Sequence, residues 1–589
     1  MTLLVALGAL LALTALAPLL VRRLGPSTGY VLAAGFLLVG GLLLTHTPAV
    51  LAGSVVERSV AWLPSLDVSL TLRLDGVSLV FCLIALGVGA LVLAYCPHYI
   101  DDEEARGPLY PLLTFFAAAM VGLVLADDLV LLYVCWELTT LCSFALISTA
   151  GTPATRAARQ ALLVTVTGGL ALLAAVVLIS VTAGTTRLSA VLADPAVVLD
   201  SPVALPVGAL LAVAAFTKSA QLPVHFWLPG AMVAMTPVSA YLHAATMVKA
   251  GIYLLIRFSP MYADQPAWQA TLIVVGLTTA VAGAVMALRE HDLKAVLAQS
   301  TVSQLGLLVA AIGVGTSEAL AAALLHTVAH ALFKATLFML VGIIDEETGR
   351  RDVRELSGLR RVMPWTATFT GLAALSLAGV PPLLGFVSKE YLFAGFLDTE
   401  LAPWAGPVAA SAAVLASAFT VAYSARIVYG AFGGGATEPP DLHEPAASFL
   451  APAAVASVAG LLLGPAVSRL DPLVAAATGA ALPGADPPEV YLWHGLTPEL
   501  GMSAVTLTAG LLMFWQRDAV DRVLQRMRLP DSSELFEGAH TRLLHAGTAL
   551  GRPDRVPPSP RTWPAPLLGV AVLAGVGVVA LGACRPGPG

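Results

Sequence analysis

Residues 324–345 read LLHTVAHALFKATLFMLVGIID. A run this long and this apolar has the length of a membrane-spanning helix. His326, His330 and Lys334 stand four residues apart, which puts all three on one face of that helix. A charge at the centre of a bilayer costs roughly 2.5–3.5 kcal/mol on insertion scales, so ionisable groups there are expected to serve a function. Imidazole titrates near neutrality and passes a proton between its two nitrogens. The face reads as part of a proton relay. The same spacing could seat zinc, but no adjacent cysteine or carboxylate completes a site, and no metal is expected.

The rest of the chain has the same character. Of 589 residues, 58% are hydrophobic and 12% charged, with a mean hydropathy of +0.84. A soluble domain is about a quarter charged, so the membrane class is indicated before any motif is considered. The net charge of -6 is small for this length, and no basic, aromatic-interleaved stripe points to nucleic acid. Cys82, Cys96, Cys135, Cys142 and Cys584 form no C-x-x-C pair, which supports neither a disulfide framework nor a metal site. The first apolar run starts directly after Met1, lacks a basic leader and ends at Val21-Arg22-Arg23, as a first spanning helix would rather than a cleaved signal.

About sixteen such runs are expected, centred near residues 12, 37, 85, 118, 140, 171, 212, 247, 278, 304, 332, 375, 418, 456, 507 and 573. The fold class is therefore an all-α polytopic membrane protein. Longer joints at 46–75, 184–203, 466–495 and 517–562 read as loops. Within the last, Val520, Val523, Leu524 and Met527 recur at helical spacing among Arg517, Asp518, Arg522 and Arg526, predicting an amphipathic helix on the inner surface. The seventh run is interrupted by Pro223 and Pro229, the twelfth by Pro381-Pro382 and Gly385. Matching breaks in two halves predict inverted repeats on helices four to eight and nine to thirteen, with ion sites near the breaks. The chain thus divides into helices 1–3 (residues 1–105), a core of helices 4–13 (106–435) and helices 14–16 with the amphipathic segment (436–589). With the N-terminus outside, inner joints collect Arg22, Arg23, Arg106, Arg156, Arg159, Arg289, Arg350, Arg351, Arg354, Arg360, Arg361, Arg426 and the basic segment from Arg517 to Arg561. Outer joints keep only Arg58, Arg73, Arg187, Arg257 and Arg469.

Lysine is scarce. Lys218, Lys249, Lys294, Lys334 and Lys389 are the whole set, against twenty-six arginines. Four lie inside apolar runs; Lys294, at a polar joint, is equally readable as a snorkelling interfacial residue. Arginine stays protonated in proteins, whereas a desolvated lysine can release its proton, so a chain that uses arginine in its loops and lysine in its helices marks positions that must cycle. Other polar groups fall around these lysines. Glu137, in CWELTTLCSF, is a lone carboxylate that needs a cation, with Lys218 the candidate. Asp127 and Asp128 sit at a helix boundary and read as interfacial. His243 precedes Lys249 in YLHAATMVKAG and reads as a relay group, with a packed core histidine the alternative. His225, inside PVHFWLP, is open to two readings, a backbone cap or an ion contact. Lys389 and Glu390, in GFVSKEY, follow the second break and read as one end of the path.

The strings KSAQLPVHFWLPGAMVAMTPVSAYLHAATMVKAGIYLL, DLKAVLAQSTVSQLG, LLHTVAHALFKATLFMLVGIID and GVPPLLGFVSKE resemble the antiporter-like subunits shared by proton-pumping NADH:quinone oxidoreductase, membrane hydrogenases and Mrp-type Na+/H+ antiporters. The likeness covers about residues 70–435. WELTTLCSFALI and GIIDEETGRRDVRELSGL are similar to the large A-type chain of Mrp antiporters, and ATRAARQALLVTVTGG lacks the Arg-x-x-Asp of the quinone-oxidoreductase relative. The resemblance implies that Glu137 and Lys218 form an ion pair, that Lys249 is the central connecting lysine, and that His326, His330 and Lys334 make the second half-channel. It gives Lys389 the terminal place and His243 the junction. It also implies partner subunits, with protons and Na+ as the transported ions, in the inner (plasma) membrane. Typical A-type chains continue into a further region like the B-type chain, and whether such a region belongs to a separate polypeptide here is left open. No haem, flavin or iron-sulfur motif occurs, so no cofactor is expected. A respiratory or hydrogenase pumping arm, an energiser of inorganic-carbon uptake paired with a zinc-containing partner, and a non-conducting scaffold are the other readings.

Overall fold

The computed structural model describes residues 1–63, 68–434, 442–493 and 495–526, together with residue 538. The run near 573, Cys584 and most of the 517–562 segment lie outside the described residues. The centres of the other fifteen expected runs all fall on helices. Ten helical stretches among the described residues are long and apolar enough to cross a membrane.

The chain opens with α1 (Thr2–Leu24) and α2 (Thr28–Leu44), joined by a tight turn. Then come β1 (Val56–Leu63) and β2 (Val68–Leu74), followed by α3 (Gly76–Tyr99), α4 (Glu103–Leu125), α5 (Leu129–Ser148) and α6 (Thr155–Ala183). The centre is built from α7 (Ala204–Lys218), α8 (Thr236–Ala244), α9 (Met247–Arg257), α10 (Pro266–Arg289), α11 (Leu293–Val314) and α12 (Ser317–Thr348). After these come α13 (Pro364–Ala378), α14 (Leu384–Leu397), α15 (Ala405–Phe432), α16 (Ala447–Leu463), α17 (Asp471–Ala481), α18 (Pro498–Trp515) and α19 (Arg517–Arg526).

Helix ends follow local chemistry. Asp75, Asp128 and Asp292 accept backbone N–H bonds at the starts of α3, α5 and α11, satisfying donors that a helix leaves unpaired. Asp128 is thus a cap, and Asp127 beside it accepts bonds from Ser189 Oγ (2.6 Å) and Arg187 Nε (3.3 Å). Glycines in the left-handed region, Gly315, Gly349 and Gly379, close α11, α12 and α13.

The 46–75 joint, expected as a loop, carries an antiparallel hairpin, so the all-α expectation is corrected. Its signal was the period-two alternation of VSLTLRL, overlooked among the turn residues around it. The hairpin docks on the α4–α5 turn, where Thr71 O accepts from Asp127 N at 2.9 Å. Arg257, expected in an outer joint, is instead buried. It forks onto Asp75 at 2.6 and 3.1 Å and donates to Ser78 Oγ at 2.8 Å, tying α9 to the start of α3. Because the guanidinium is paired and hydrogen-bonded on this side, the site tolerates a full charge inside the protein.

Both expected breaks are present, at residues 219–235 and 379–383. A third separates α8 from α9 at Ala245-Thr246, with neither proline nor glycine to announce it. There the freed carbonyls are taken by side chains: Thr246 Oγ1 donates to Tyr241 O (2.8 Å) and Lys249 Nζ to Ala244 O. The stretch Thr236–Arg257 is wholly buried and α12 nearly so, whereas Thr2–Leu44 leaves most of its apolar surface bare, with Leu38 75% exposed. The core therefore centres on α8, α9 and α12, and the apolar outer faces are those of a bilayer-embedded protein. Beside this core, α10 and α11 press backbone to backbone. A Cβ on Gly276 would lie 2.5 Å from Ala310 N, and one on Gly306 2.5 Å from Ala280 N.

Candidate functional site

Every ionisable residue singled out in the helices is buried. At one end, Lys218 closes α7 and donates to Thr140 Oγ1 (2.7 Å) and Trp136 O (3.2 Å), with its ammonium 5.0 Å from the centre of the Trp136 ring. Cation–π attraction and two oxygens hold the amine directly; Glu137, the expected partner, makes no direct salt bridge with it among the described residues but lies close enough for the two charges to interact. The Glu137 carboxylate is one residue round α5, against α6, where a Cβ on Gly169 would fall 1.6 Å from Oε1. Neighbouring Gly168 makes the same room for Thr217 Oγ1, at 1.8 Å. The carboxylate sits where α6 has no side chain.

The centre lies at the unforeseen break. Lys249, in the first turn of α9, reaches back to Ala244 O and lies 2.8 Å from His330 Nδ1. A lysine and a histidine from helices eighty-one residues apart in sequence thus share a hydrogen bond. His330 and His326 follow one another along α12 with ring centres 6.5 Å apart and the rings tilted by 54°. His326 Nε2 lies 3.0 Å from Gln304 Oε1 and Nδ1 3.0 Å from Ser388 Oγ, so this ring links α11 to α14. Lys334 bonds to Leu297 O (3.0 Å) and Ser300 Oγ, both on α11. The three α12 residues share a face, as the spacing requires, but their partners differ: His330 meets α9, Lys334 meets α11, and His326 meets both α11 and α14.

At the far end, Lys389 donates to Ala378 O (3.1 Å), the last residue of α13. Gly379 is needed twice over: its φ is +84°, and a Cβ would stand 2.8 Å from Lys389 Cδ. His243 is buried near Trp227, with ring centres 6.1 Å apart, and neither ring nitrogen meets a hydrogen-bond partner among the described residues. Glu137 Oε1 and His330 Nε2 are likewise orphaned. His225 lies buried in the turn between α7 and α8. Lys294 is not snorkelling. It is buried, 3.8 Å from Asp345, in a latch with Arg351 and Asp292 that joins the start of α11 to the end of α12.

Sequence reasoning missed the side chains that hold these groups: Thr140 and Ser300 on the amines of Lys218 and Lys334, and Gln304 and Ser388 on the imidazole of His326. The signal was available, because QSTVSQ inside an apolar helix is as unusual as the lysines themselves. Among the described residues no three His, Cys, Asp or Glu side chains gather closely enough to ligate a metal.

A bundle with bare apolar flanks and a buried file of amines and imidazoles defines a polytopic membrane protein with an ionisable interior. Residues 126–420 match the model of the NADH:quinone oxidoreductase/Mrp antiporter transmembrane family, and residues 62–107 that of the N-terminus of NADH-ubiquinone oxidoreductase (complex I) chain 5. The chain belongs to this antiporter-like family of membrane proteins. It is 41% identical over 515 residues to the A/B-type chain of a probable K(+)/H(+) antiporter of Rhizobium meliloti, covering 85% of this chain and 51% of that one. It is 39% identical over 496 residues to the A-type chain of the Na(+)/H(+) antiporter of Alkalihalophilus pseudofirmus, covering 78% and 61%. The solved Mrp complex from Dietzia sp. DQ12-45-1b contains a chain of the same fold, with a TM-score of 0.87 and 49% identity, covering all of this chain and 64% of that one. The chain spans between half and two thirds of the length of these relatives.

Proposed function

We propose that this chain is the A-type, proton-translocating component of a multisubunit monovalent-cation/proton antiporter, a secondary transporter rather than an enzyme. The observation that carries the reading is the file from Glu137 and Lys218 through His243, Lys249, His330, His326 and Lys334 to Lys389, buried throughout and spanning both broken segments. Orphaned atoms on Glu137, His243 and His330 mark where water bridges the gaps between direct hydrogen bonds. Each proton that arrives shifts the proton affinity of its neighbours, so charge moves along the file by local displacement. Proton entry down its gradient drives sodium or potassium export by the assembled complex. Other subunits complete the route, since a hard cation wants several oxygen ligands and the file is largely nitrogen.

The chain sits in the plasma membrane with its N-terminus outside and about sixteen crossings. Helices four to eight and nine to thirteen form two inverted repeats, within the divisions 1–105, 106–435 and 436–589. The test is flux in vesicles. The complex purified from native membrane should exchange Na+ or K+ for protons, and Lys249→Ala should abolish exchange. Robust sodium-dependent proton flux from this polypeptide alone would overturn the partner requirement. Co-purifying flavin and iron-sulfur subunits would favour a respiratory pumping arm instead.

A further inference from the structure

Beyond Lys389 the file ends at a cavity of about 200 Å³ lined by Glu318, Glu390, Tyr391, Ala394, Thr497 and Glu499. The three carboxylates come from three helices: Glu318 from the first turn of α12, Glu390 from the middle of α14, Glu499 from the first turn of α18. First-turn acids are explained by the helix dipole, which accounts for Glu318 and Glu499. It does not account for Glu390, which is mid-helix and 7% exposed. Its carboxylate has no hydrogen bond or ion pair among the described residues and faces the cavity. Tyr391 is otherwise engaged, donating to Glu489 O (2.7 Å) and accepting from Tyr491 N (3.2 Å). The nearest amine along the chain, Lys389, is turned to Ala378 O. The recess is therefore lined by three carboxyl groups with no cation among its lining residues, and carboxylates that converge in this way concentrate counter-ions.

We propose that this recess is a release site for a monovalent cation, Na+ or K+, held by the carboxylates of Glu318, Glu390 and Glu499. These groups are not close enough together to ligate a bare metal ion, so the cation keeps part of its water, and the recess has room for it. The proposal rests on the antiporter reading and names where its second ion meets the proton file.

The assembled complex in native membranes is treated with dicyclohexylcarbodiimide, which adds to carboxyl groups in apolar surroundings, and the peptide carrying Glu390 is quantified by mass spectrometry. NaCl or KCl should slow modification of Glu390 several-fold, and choline chloride at equal ionic strength should not. The Na+ and K+ arms show which ion the recess prefers. Glu318→Gln and Glu499→Gln should each raise the protecting concentration at least threefold. Absence of modification, equal protection by choline, stronger protection by Ca2+ than by either monovalent ion, or indifference to both substitutions overturns the proposal. The readout is independent of flux. Protection without exchange sinks the antiporter reading and keeps the site, while exchange without protection does the reverse.

Discussion

Lys334 shows what a single side chain must do in this interior. Its amine fits between Leu297 O and Ser300 Oγ of α11, and only a lysine there can become neutral. Lys334→Arg keeps the charge, but a guanidinium with a pKa above about 12 does not let go of its proton. Transport by the complete complex should fall in Lys334→Arg almost as far as in Lys334→Ala, at matched expression. Arg354→Lys should cost little, because Arg354 is exposed and pairs only with Asp352 in the 349–361 turn. Hydrogen bonding from Arg354 holds the Asp352 carboxyl down to about 2. A depressed carboxylate contributes stability above its unfolded pKa of about 4 and loses it only as pH falls towards 2, so this pair is intact throughout the working range. If Lys334→Arg transports at near wild-type rate, a fixed positive charge replaces the proton-carrier role. A second test concerns Glu137. Gly169→Ala puts a methyl group 1.6 Å from the present position of Oε1 and should cut exchange at least tenfold while the complex still assembles, whereas Gly41→Ala, with nothing within 4 Å, should not. The ionisable members of the file were legible in the sequence because charge in an apolar run is rare. Their direct partners were not, since a hydroxyl or a carbonyl gives no sign of which helix will face it.

Helices break here in two ways, and only one could be read in advance. Pro223, Pro229 and Pro381-Pro382 announce themselves, because proline lacks an N–H and disfavours helix before it. The α8–α9 break does not, since its freed carbonyls are satisfied by Thr246 and Lys249. The hairpin was overlooked for the opposite reason, its alternation being short and set among turn residues. At the α13–α14 break, Gly379→Ala meets both a left-handed backbone and the Lys389 side chain. The backbone cost alone is about 1–2 kcal/mol, and thermal inactivation of the complex should come several degrees earlier, with exchange reduced. Gly371→Ala, eight residues earlier on α13 with open space around it, should leave both unchanged. Equal effects of the two would mean that the break is not a constrained joint.

The whole molecule has two unlike ends. Arg58 apart, the arginines near the hairpin are engaged by acids: Arg257 and Arg73 by Asp75, Arg187 by Asp127 and Glu57. In the 349–361 turn Arg351 and Arg354 are also engaged by acids, while Arg360 and Arg361 stand exposed; charge-dependent insertion predicts that exposed arginines lie inside. In a cysteine-free background, Asp200→Cys should react with an impermeant maleimide added outside intact cells and Glu355→Cys should react only after permeabilisation; the reverse pattern would invert the topology. Through the middle of this polarised body runs the seam of α10 and α11, where Gly276, Gly283 and Gly306 let one backbone lie on the other. Shear between packed helices needs side chains that can slide past one another and change rotamer, and contact through peptide units offers none. The pair should therefore move as one stiff plank, leaving ions to advance by shuffling water and short side chains across a frame that does not rock.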